Sequence, residues 1–507
     1  SSSIIVDENF NLTSDELISV IANYDGLVVR SSTQVNADLI NKGKKLKIIG
    51  RAGIGIDNID VSAATKKGIL VMNTPHGNSV TTAEHTISLI LSLARQIPLA
   101  HLSTISGKWE KQRFIGTEIS GKCLGIIGCG NIGCIVAKRA LGLEMKVLGY
   151  DPFLSNQKAK DLGIIKVDLK ELLSKADFIS LHTPLTEETR NIISTNTIGI
   201  TKKGVRIINC ARGGLVDEKA VLKGLRSGHI AGVALDVFSE EPSINNPLFK
   251  EENFVATPHL GASTLEAQEK VALQIAQQMV DFFNNGTITN SVNMPSISPE
   301  EALILKPFIK LSELLGRFLG QTSSDELNKF ELELDGKSTK LNDQPLLTAA
   351  LAGFFSQKMD SVNMVNSSSI ASQKGVSTSV IKHDRRCDYE SMIRINLIYN
   401  NKIRTIAGTL FRGDLPRIVE LQGISVESNF PKNMLYLRNY DKPGFIGEFG
   451  SLIGELGINI ASFHLGRKIK GGEAIAIVEV DENVKDDLLE KIRNLPQILK
   501  VDFLKFD

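Results

Sequence analysis

Leu124-Gly125-Ile126-Ile127-Gly128-Cys129-Gly130-Asn131-Ile132-Gly133 reads as an apolar strand, a glycine turn and the start of a helix. Gly128, Gly130 and Gly133 have the spacing G-x-G-x-x-G. Such a turn alone is weak evidence for a ligand. Here it leaves a strand and opens a helix near Ile132, a context in which each glycine has its own task. The first allows the tight turn, the second lets a pyrophosphate reach the backbone, and the third lets the helix pack close to the sheet. The helix N-terminus adds N–H donors and the positive end of its dipole. The next strand, Lys146 to Tyr150, ends at Asp151, 18 residues beyond Gly133. An acid about 20 residues on accepts hydrogen bonds from a ribose. Its charge also repels a 2′-phosphate, so the pattern favours NAD over NADP.

Three further strand ends carry polar residues. Val205 to Cys210 runs into Ala211-Arg212-Gly213-Gly214. Val233 to Val237 runs into Phe238-Ser239-Glu240-Glu241-Pro242. The third is Ala256-Thr257-Pro258-His259-Leu260-Gly261-Ala262. Ligands of open α/β sheets bind beyond the carboxyl ends of strands. The planar fork of Arg212 suits a carboxylate. His259 suits a proton leaving a hydroxyl as hydride departs from the same carbon. A carboxylate beside the histidine would orient the ring and stabilise its charged form. Spacing leaves Glu240 and Glu241 both open for that role. A lone Arg or His is ordinarily a surface ion pair or a structural group. The three together, after a dinucleotide turn, point to hydride exchange between nicotinamide and C2 of a small 2-hydroxy acid.

The chain has 507 residues, enough for three or four domains of roughly 100–200 residues. Leu27 to Arg30 and Leu46 to Ile49 read as buried strands with helical patterns between, which implies a parallel sheet. One long helix is expected from Thr82 to Ala100. A second α/β unit runs from Cys123 to about Glu266, and a helix from Ala267 to Phe283 breaks at Asn284-Asn285-Gly286. Ser296-Ile297-Ser298-Pro299 reads as a linker. Residues 432–507 follow the order β-α-β-β-α-β of a ferredoxin-like unit. A net charge of +1 gives no nucleic-acid footprint, and the basic Gly43-Lys44-Lys45-Leu46-Lys47 reads as a solvated face. The five cysteines form no C-x-x-C pair, which argues against a zinc or thioredoxin-like site and for a reducing compartment. No metal site is expected. No apolar run reaches the ~18 residues of a membrane span. The chain opens on Ser-Ser-Ser without an initiator Met, so the expected location is cytoplasmic, or an organelle if a presequence was removed.

Gly50-Arg51-Ala52-Gly53-Ile54-Gly55-Ile56-Asp57-Asn58, Met72-Asn73-Thr74-Pro75, Asn209 to Asp217 and Pro258 to Thr264 closely resemble the D-2-hydroxyacid dehydrogenase family. Arg438-Asn439-Tyr440-Asp441-Lys442-Pro443-Gly444 resembles the start of an ACT domain. Val362-Asn363-Met364-Val365-Asn366 resembles the intervening domain of the family's long form. The resemblance covers essentially the whole chain. It implies an α/β protein with two Rossmann-like domains, an α+β intervening domain and a C-terminal ferredoxin-like ACT domain. The implied boundaries are 1–97 with 267–295 for substrate binding, 98–266 for NAD, 296–431 for the intervening domain and 432–507 for ACT.

The resemblance also implies roles. The catalytic set falls on Arg212, Glu241 and His259, which selects Glu241 over Glu240 by analogy. Cofactor contacts fall on Gly128, Gly130, Asn131, Ile132, Gly133, Asp151, Thr183, Cys210, Ala211, Asp236 and Ala262, together with Arg212 and His259. The implied reaction is NAD-dependent oxidation of 3-phosphoglycerate to 3-phosphohydroxypyruvate, the first step of phosphorylated serine synthesis. Substrate contacts fall on Arg30, Arg51, Gly53 and Asn78, with Lys111 reaching a partner subunit. Asn439, Asp441 and Asn459 match positions that bind L-serine between two ACT domains, and a homodimer or homotetramer is implied. Two departures stand out: Asn131 replaces a base common in relatives, and Ile54 replaces a Thr of some. The competing expectations are a dehydrogenase for another D-2-hydroxy acid and an NAD-sensing protein without turnover.

Overall fold

The computed structural model describes residues 4–506 apart from 11, 76, 324, 325, 386 and 401. The chain forms two compact units, one of Ser1–Arg51, Gly55–Asn73 and Ile275–Asp507, the other of Ala52–Ile54 and Thr74–Gln274.

The first unit opens with a three-stranded sheet of β1 (Gly26–Val29), β2 (Ile48–Arg51) and β3 (Leu70–Met72), in that order and all parallel. The second unit holds β4 (Cys123–Ile127), β5 (Lys146–Tyr150), β6 (Ile165–Lys166), β7 (Phe178–Leu181), β8 (Val205–Asn209), β9 (Ile230–Leu235) and β10 (Phe254–Ala256). These make one parallel sheet in the order β10-β9-β8-β7-β4-β5-β6. The strand order turns back between β4 and β7, where a doubly wound sheet opens its ligand crevice. The apolar run of β4 has this cause: Leu124 and Ile126 pack into one core and Ile127 into the other, as a strand covered on both faces requires.

The single helix expected over Thr82 to Ala100 is two helices, Ser79–Arg95 and Ile97–Ile105. Gln96 between them is left-handed, with φ 52°. Pro98 has no N–H to offer the carbonyl of Ala94. That carbonyl instead accepts the N–H of Thr117 at 2.8 Å. The helix expected from Ala267 spans Leu265–Asn285 and stops at Gly286, a left-handed residue after its last turn. Within the first unit, the expected linker is structured. Ile297 bridges Ile288, and Ser298 caps the helix Pro299–Thr322 in a reciprocal pair with Glu301.

Beyond it lies a six-stranded sheet in the order Ser377–His383, Lys329–Gly336, Ser391–Tyr399, Lys402–Phe411, Leu415–Leu421, Ile424–Ser428. Its first pair is parallel and the others antiparallel. The final sheet runs Ile460–Arg467, Glu473–Val480, Asn433–Tyr440, Ile498–Lys505, all antiparallel. With helices Phe445–Glu455 and Asp486–Arg493 it completes the expected ferredoxin-like order. Among the described residues, no helix is long and apolar enough to cross a membrane.

Helices Pro299–Thr322 and Asp343–Phe355 touch backbone to backbone. A Cβ on Gly316 would stand 2.1 Å from the Ala350 carbonyl oxygen, and one on Gly353 2.1 Å from that of Glu313. Gly316→Ala is therefore expected to force the pair apart at a cost of roughly 1–3 kcal/mol, read as a lower midpoint in thermal unfolding.

Candidate active site

Each glycine of the turn after β4 can be judged by what a side chain would meet. Gly128 has φ 96°, and its Cβ would lie 2.5 Å from the carbonyl oxygen of His182. A Cβ on Gly133 would lie 2.0 Å from the carbonyl oxygen of Gly128. Both are required by packing. Gly130 is different, because its Cβ would meet nothing within 4 Å. Its bareness leaves open space at the start of the helix Asn131–Gly142, with no capping side chain. At the end of β7 the hydroxyl of Thr183 is buried without a hydrogen-bond partner. Such a group ordinarily finds a partner in a ligand or water. This open cradle and unsatisfied hydroxyl fit the diphosphate and ribose of a dinucleotide.

Asp151 stands where sequence placed it, and it also caps the turn. Its carboxylate accepts the N–H groups of Cys129 and Phe153, each at 2.8 Å. Cys210 is buried, and burial pushes its thiol up to about 12. It contributes a neutral wall.

The three polar strand ends come together in the second unit. After β8, the side chain of Asn209 donates to the Arg212 carbonyl at 2.9 Å and accepts the Ala211 N–H at 3.0 Å. A Cβ on Gly213 would fall 1.7 Å from the Phe238 carbonyl oxygen, so the Arg212 loop abuts the loop after β9. In that second loop Glu241 accepts the Phe238 N–H at 3.0 Å. Its other oxygen meets Nδ1 of His259 at 2.7 Å. The carboxylate that His259 meets is thus Glu241, the alternative that spacing could not choose.

His259 is left-handed, with φ 55°, a conformation that costs a non-glycine residue about 1–3 kcal/mol. Asp236 fixes the turn. Its carboxylate is fully buried and accepts the Thr257 hydroxyl at 2.6 Å and the N–H groups of Leu260 at 2.7 Å and Gly261 at 2.8 Å. Its carbonyl accepts the His259 N–H at 2.9 Å. Burial pushes the Asp236 carboxyl up, but His85, Thr257 and Leu260 outweigh it and hold it below the usual range.

The electrostatics of the pair agree from both sides. The hydrogen bond with Glu241 raises His259 above its ordinary 6.5, against burial and the nearby Arg212 charge. For Glu241, burial acts upward, and the bonds from His259 and the Phe238 N–H prevail to lower it. Nδ1 is engaged, so Nε2 is the ring atom left to exchange a proton with a substrate. Asn209, His85 and Thr257 were not singled out from sequence. Thr257 lies in the His259 motif and Asn209 ends a strand. His85 sits in a helix far upstream, and no spacing marks it.

The comparisons with known proteins agree with this geometry. Residues 87–261 match the family model for the D-isomer specific 2-hydroxyacid dehydrogenase NAD binding domain. Residues 304–422 match the D-3-phosphoglycerate dehydrogenase intervening domain and 433–497 the ACT domain. The chain is 39% identical to D-3-phosphoglycerate dehydrogenase of Bacillus subtilis (strain 168), over 99% of this chain and 95% of that one. It is 42% identical to the enzyme of that name from Methanocaldococcus jannaschii, over 97% and 94%. The chain belongs to the D-isomer specific 2-hydroxyacid dehydrogenase family. Among solved structures, D-lactate dehydrogenase of Aquifex aeolicus, complexed with NAD and lactic acid, superposes with TM-score 0.50 at 29% identity, covering 55% of this chain and 90% of that one. The protein is an NAD-dependent oxidoreductase, and its cofactor is NAD.

The other expected residues of this dehydrogenase fall in several places. Arg51 ends β2 opposite Val29, and Arg30 follows Val29, so both lie at the carboxyl ends of neighbouring strands in the first unit. In the second, Gly53 has φ 142° and its carbonyl accepts the Thr74 N–H. Asn78 precedes the helix Ser79–Arg95, with its Oδ1 buried and unpartnered. Lys111 is exposed. Ile132 and Ala262 are part-buried beside their glycines. In the ACT unit Asn439 is buried with an unpartnered Oδ1. Asp441 accepts Arg467 Nη1 at 2.6 Å and the Gly471 N–H at 2.9 Å. Asn459 bonds Asp481 and Glu482. Asn439 pairs with Ala474, whereas Asn459 meets Asp481, seven residues further along the central strand, or roughly 20 Å at ~3.3 Å per residue. One chain does not bring these three together.

Glu241→Gln removes the carboxylate that raises His259. In an NMR titration of the ligand-free protein, His259 is expected to fall toward 6.5. The stability effect has a definite sign. The raised histidine stabilises the fold below its unfolded value and loses this as pH rises through the folded value; the lowered glutamate does so above its unfolded value. The pair therefore counts most between the ordinary values of 4.5 and 6.5, and the variant should lose more stability there than in alkaline buffer.

Proposed function

We propose that this dehydrogenase oxidises 3-phosphoglycerate to 3-phosphohydroxypyruvate with NAD, and runs the reverse reduction. One observation carries the choice of substrate: relatives bearing that enzyme name match along nearly the whole chain, intervening and ACT segments included. Arg30 and Arg51 support it, since guanidinium groups at the carboxyl ends of neighbouring strands suit a phosphate dianion. Gly53 and Asn78 add a backbone turn and a side-chain acceptor, and Lys111 a further cation.

Bound NAD supplies the hydride acceptor at C4 of its nicotinamide. The chain's residues do the rest. Arg212 orients the substrate carboxylate through its fork. Neutral His259 takes the hydroxyl proton on Nε2 as hydride leaves C2, and Glu241 stabilises the resulting imidazolium. In the reverse direction the charged His259 returns the proton, and its raised pKa keeps it charged to higher pH. Gly128, Gly130, Asn131, Ile132 and Gly133 would receive the pyrophosphate and Asp151 the ribose hydroxyls, and Thr183, Cys210, Ala211 and Ala262 would line the remainder, backed by the buried Asp236.

The domain boundaries we propose are 1–97 with 267–295, 98–266, 296–431 and 432–507. The chain works as a homodimer or homotetramer. Ile97, Leu102, Ile105, Trp109 and Ile115 are all exposed, and so many large apolar side chains within one short stretch of chain suit an association surface. L-serine is the proposed ACT effector, bound between two chains. The separation of Asn459 from Asn439 and Asp441 is what a site completed by a second chain requires. The unpatterned cysteines suit a reducing compartment, the cytoplasm or an organelle interior.

The test follows NADH loss with 3-phosphohydroxypyruvate and with unphosphorylated hydroxypyruvate. Strong preference for the phosphorylated acid is expected, and Arg51→Gln should reduce that preference by about tenfold or more. Equal rates with both acids would keep the dehydrogenase and refute the phosphate reading. L-serine should slow the wild-type enzyme, and Asn439→Ala should remove the slowing; absence of both inhibition and calorimetric binding would refute the effector.

A further inference from the structure

We infer that His85 is a positioning residue for the reaction: its Nε2–H holds Thr257 and Asp236, and through them the left-handed turn that presents His259. His85 lies on the helix Ser79–Arg95, outside every motif that marks the site. The inference rests on the reading of His259 as the acid–base group.

The geometry defines the direction of each bond. His85 Nε2 is 3.1 Å from Thr257 Oγ1 and 3.3 Å from Asp236 Oδ1. The Thr257 hydroxyl has one proton, and that proton goes to Asp236 Oδ1 at 2.6 Å. Thr257 Oγ1 can therefore only accept from His85, so Nε2 carries a hydrogen. This donor closes a small ring of His85, Thr257 and Asp236. The ring is anchored on three elements: the helix, the end of β9 and the segment after β10. The same helix adds a second tie one turn earlier, where the Thr82 hydroxyl is shared between the Gly261 carbonyl at 2.9 Å and the Asn78 carbonyl at 3.1 Å.

The turn has reason to need these ties. His259 holds a backbone conformation that L side chains rarely adopt. Its N–H goes to the Asp236 carbonyl, and the N–H groups of the next two residues go to the Asp236 carboxylate. Asp236 is buried as a charge, which is tolerated only while its oxygens are filled by donors. Loss of His85 removes one donor from that set and leaves the Thr257 oxygen without its own donor, so that the hydroxyl is held by Asp236 alone. The turn then loosens where a small displacement moves the His259 ring away from Glu241. The charged groups facing His259 are Glu241, Asp236 and Arg212. Arg212 is placed separately, by Asn209 and by the contact at Gly213. The substrate carboxylate should accordingly still bind when His85 is lost.

The test compares His85→Leu, which fills the space without a donor, with His85→Gln, whose amide N–H lies near the position of Nε2. The full-length protein is used, with thermal unfolding to confirm that each variant is folded. His85→Leu is expected to lower kcat by about tenfold to a hundredfold, as small misplacements of a catalytic group do, with KM for the keto acid within about twofold of wild type. In the ligand-free variant, the His259 ring titration should move from its raised position toward the ordinary value. His85→Gln should restore most of both. Thr257→Val cuts the same ring at its second member; it should show the same pattern and add little when combined with His85→Leu. If His85→Leu does not fold, Thr257→Val carries the prediction alone. A folded His85→Leu with unchanged kcat and unchanged His259 titration overturns the inference. Equal impairment of the Leu and Gln variants overturns it too, because packing rather than the donor would then matter. The NMR titration needs no turnover, so it tests the link to His259 even if the acid–base reading fails.

Discussion

A carboxylate sealed from water must have its oxygens filled by donors, and Asp236 obliges the chain around it to supply them. The cost of burying a bare charge is several kcal/mol. The N–H groups of Leu260 and Gly261 and the hydroxyl of Thr257 meet that demand. To deliver them, the segment after β10 must fold back over the end of β9. Its turn places His259 at positive φ, and the ring then reaches Glu241. The strained residue is thus held by an interaction whose loss would cost more than the strain. Without Asp236, neither the conformation of His259 nor the pairing with Glu241 has a cause.

The sheet explains why these groups share one end of one unit. In a parallel sheet every strand ends on the same side, so loops after β4, β5, β7, β8, β9 and β10 form a single rim. The strand order turns back between β4 and β7, and the glycine turn follows β4. A dinucleotide held there would lie on the same rim as the loops of Arg212, Glu241 and His259. Close approach of those loops depends on Gly213, where any side chain would collide with the Phe238 carbonyl. The glycines of this rim therefore divide by purpose. Gly128, Gly133 and Gly213 are demanded by the protein's own backbone, whereas a side chain at Gly130 would meet nothing within 4 Å.

Sequence was most legible where local chemistry decides structure. Gly128, Gly130 and Gly133 announce a turn and a helix, and Asp151 closes the next strand. Arg212 and Glu241 follow apolar runs that form buried strands, and His259 follows a short strand at the edge of the same sheet. Legibility ended where a contact joins distant segments. Nothing near His85 signals that its ring reaches Asp236, and the contest between Glu240 and Glu241 was settled by a loop path that spacing does not encode. The continuous helix expected through Pro98 failed because apolar periodicity persists across a residue that cannot donate. The expected linker at 296–299 proved to be a bridge and a helix cap, since Ser-Pro reads equally as loop or helix start. In the ACT unit the three effector candidates were chosen by resemblance, and the register of the sheet separates them within one chain.

In the proposed mechanism His259 carries the proton, with Glu241 as its partner. The most direct measurement compares His259→Ala with wild type in two readouts, steady-state reduction of 3-phosphohydroxypyruvate and NADH binding by fluorescence. This role predicts that turnover falls by about 10²–10⁴-fold, the usual contribution of a general acid–base, while NADH binding stays within a few fold. Turnover near the wild-type rate, in a variant that still binds NADH, would contradict it.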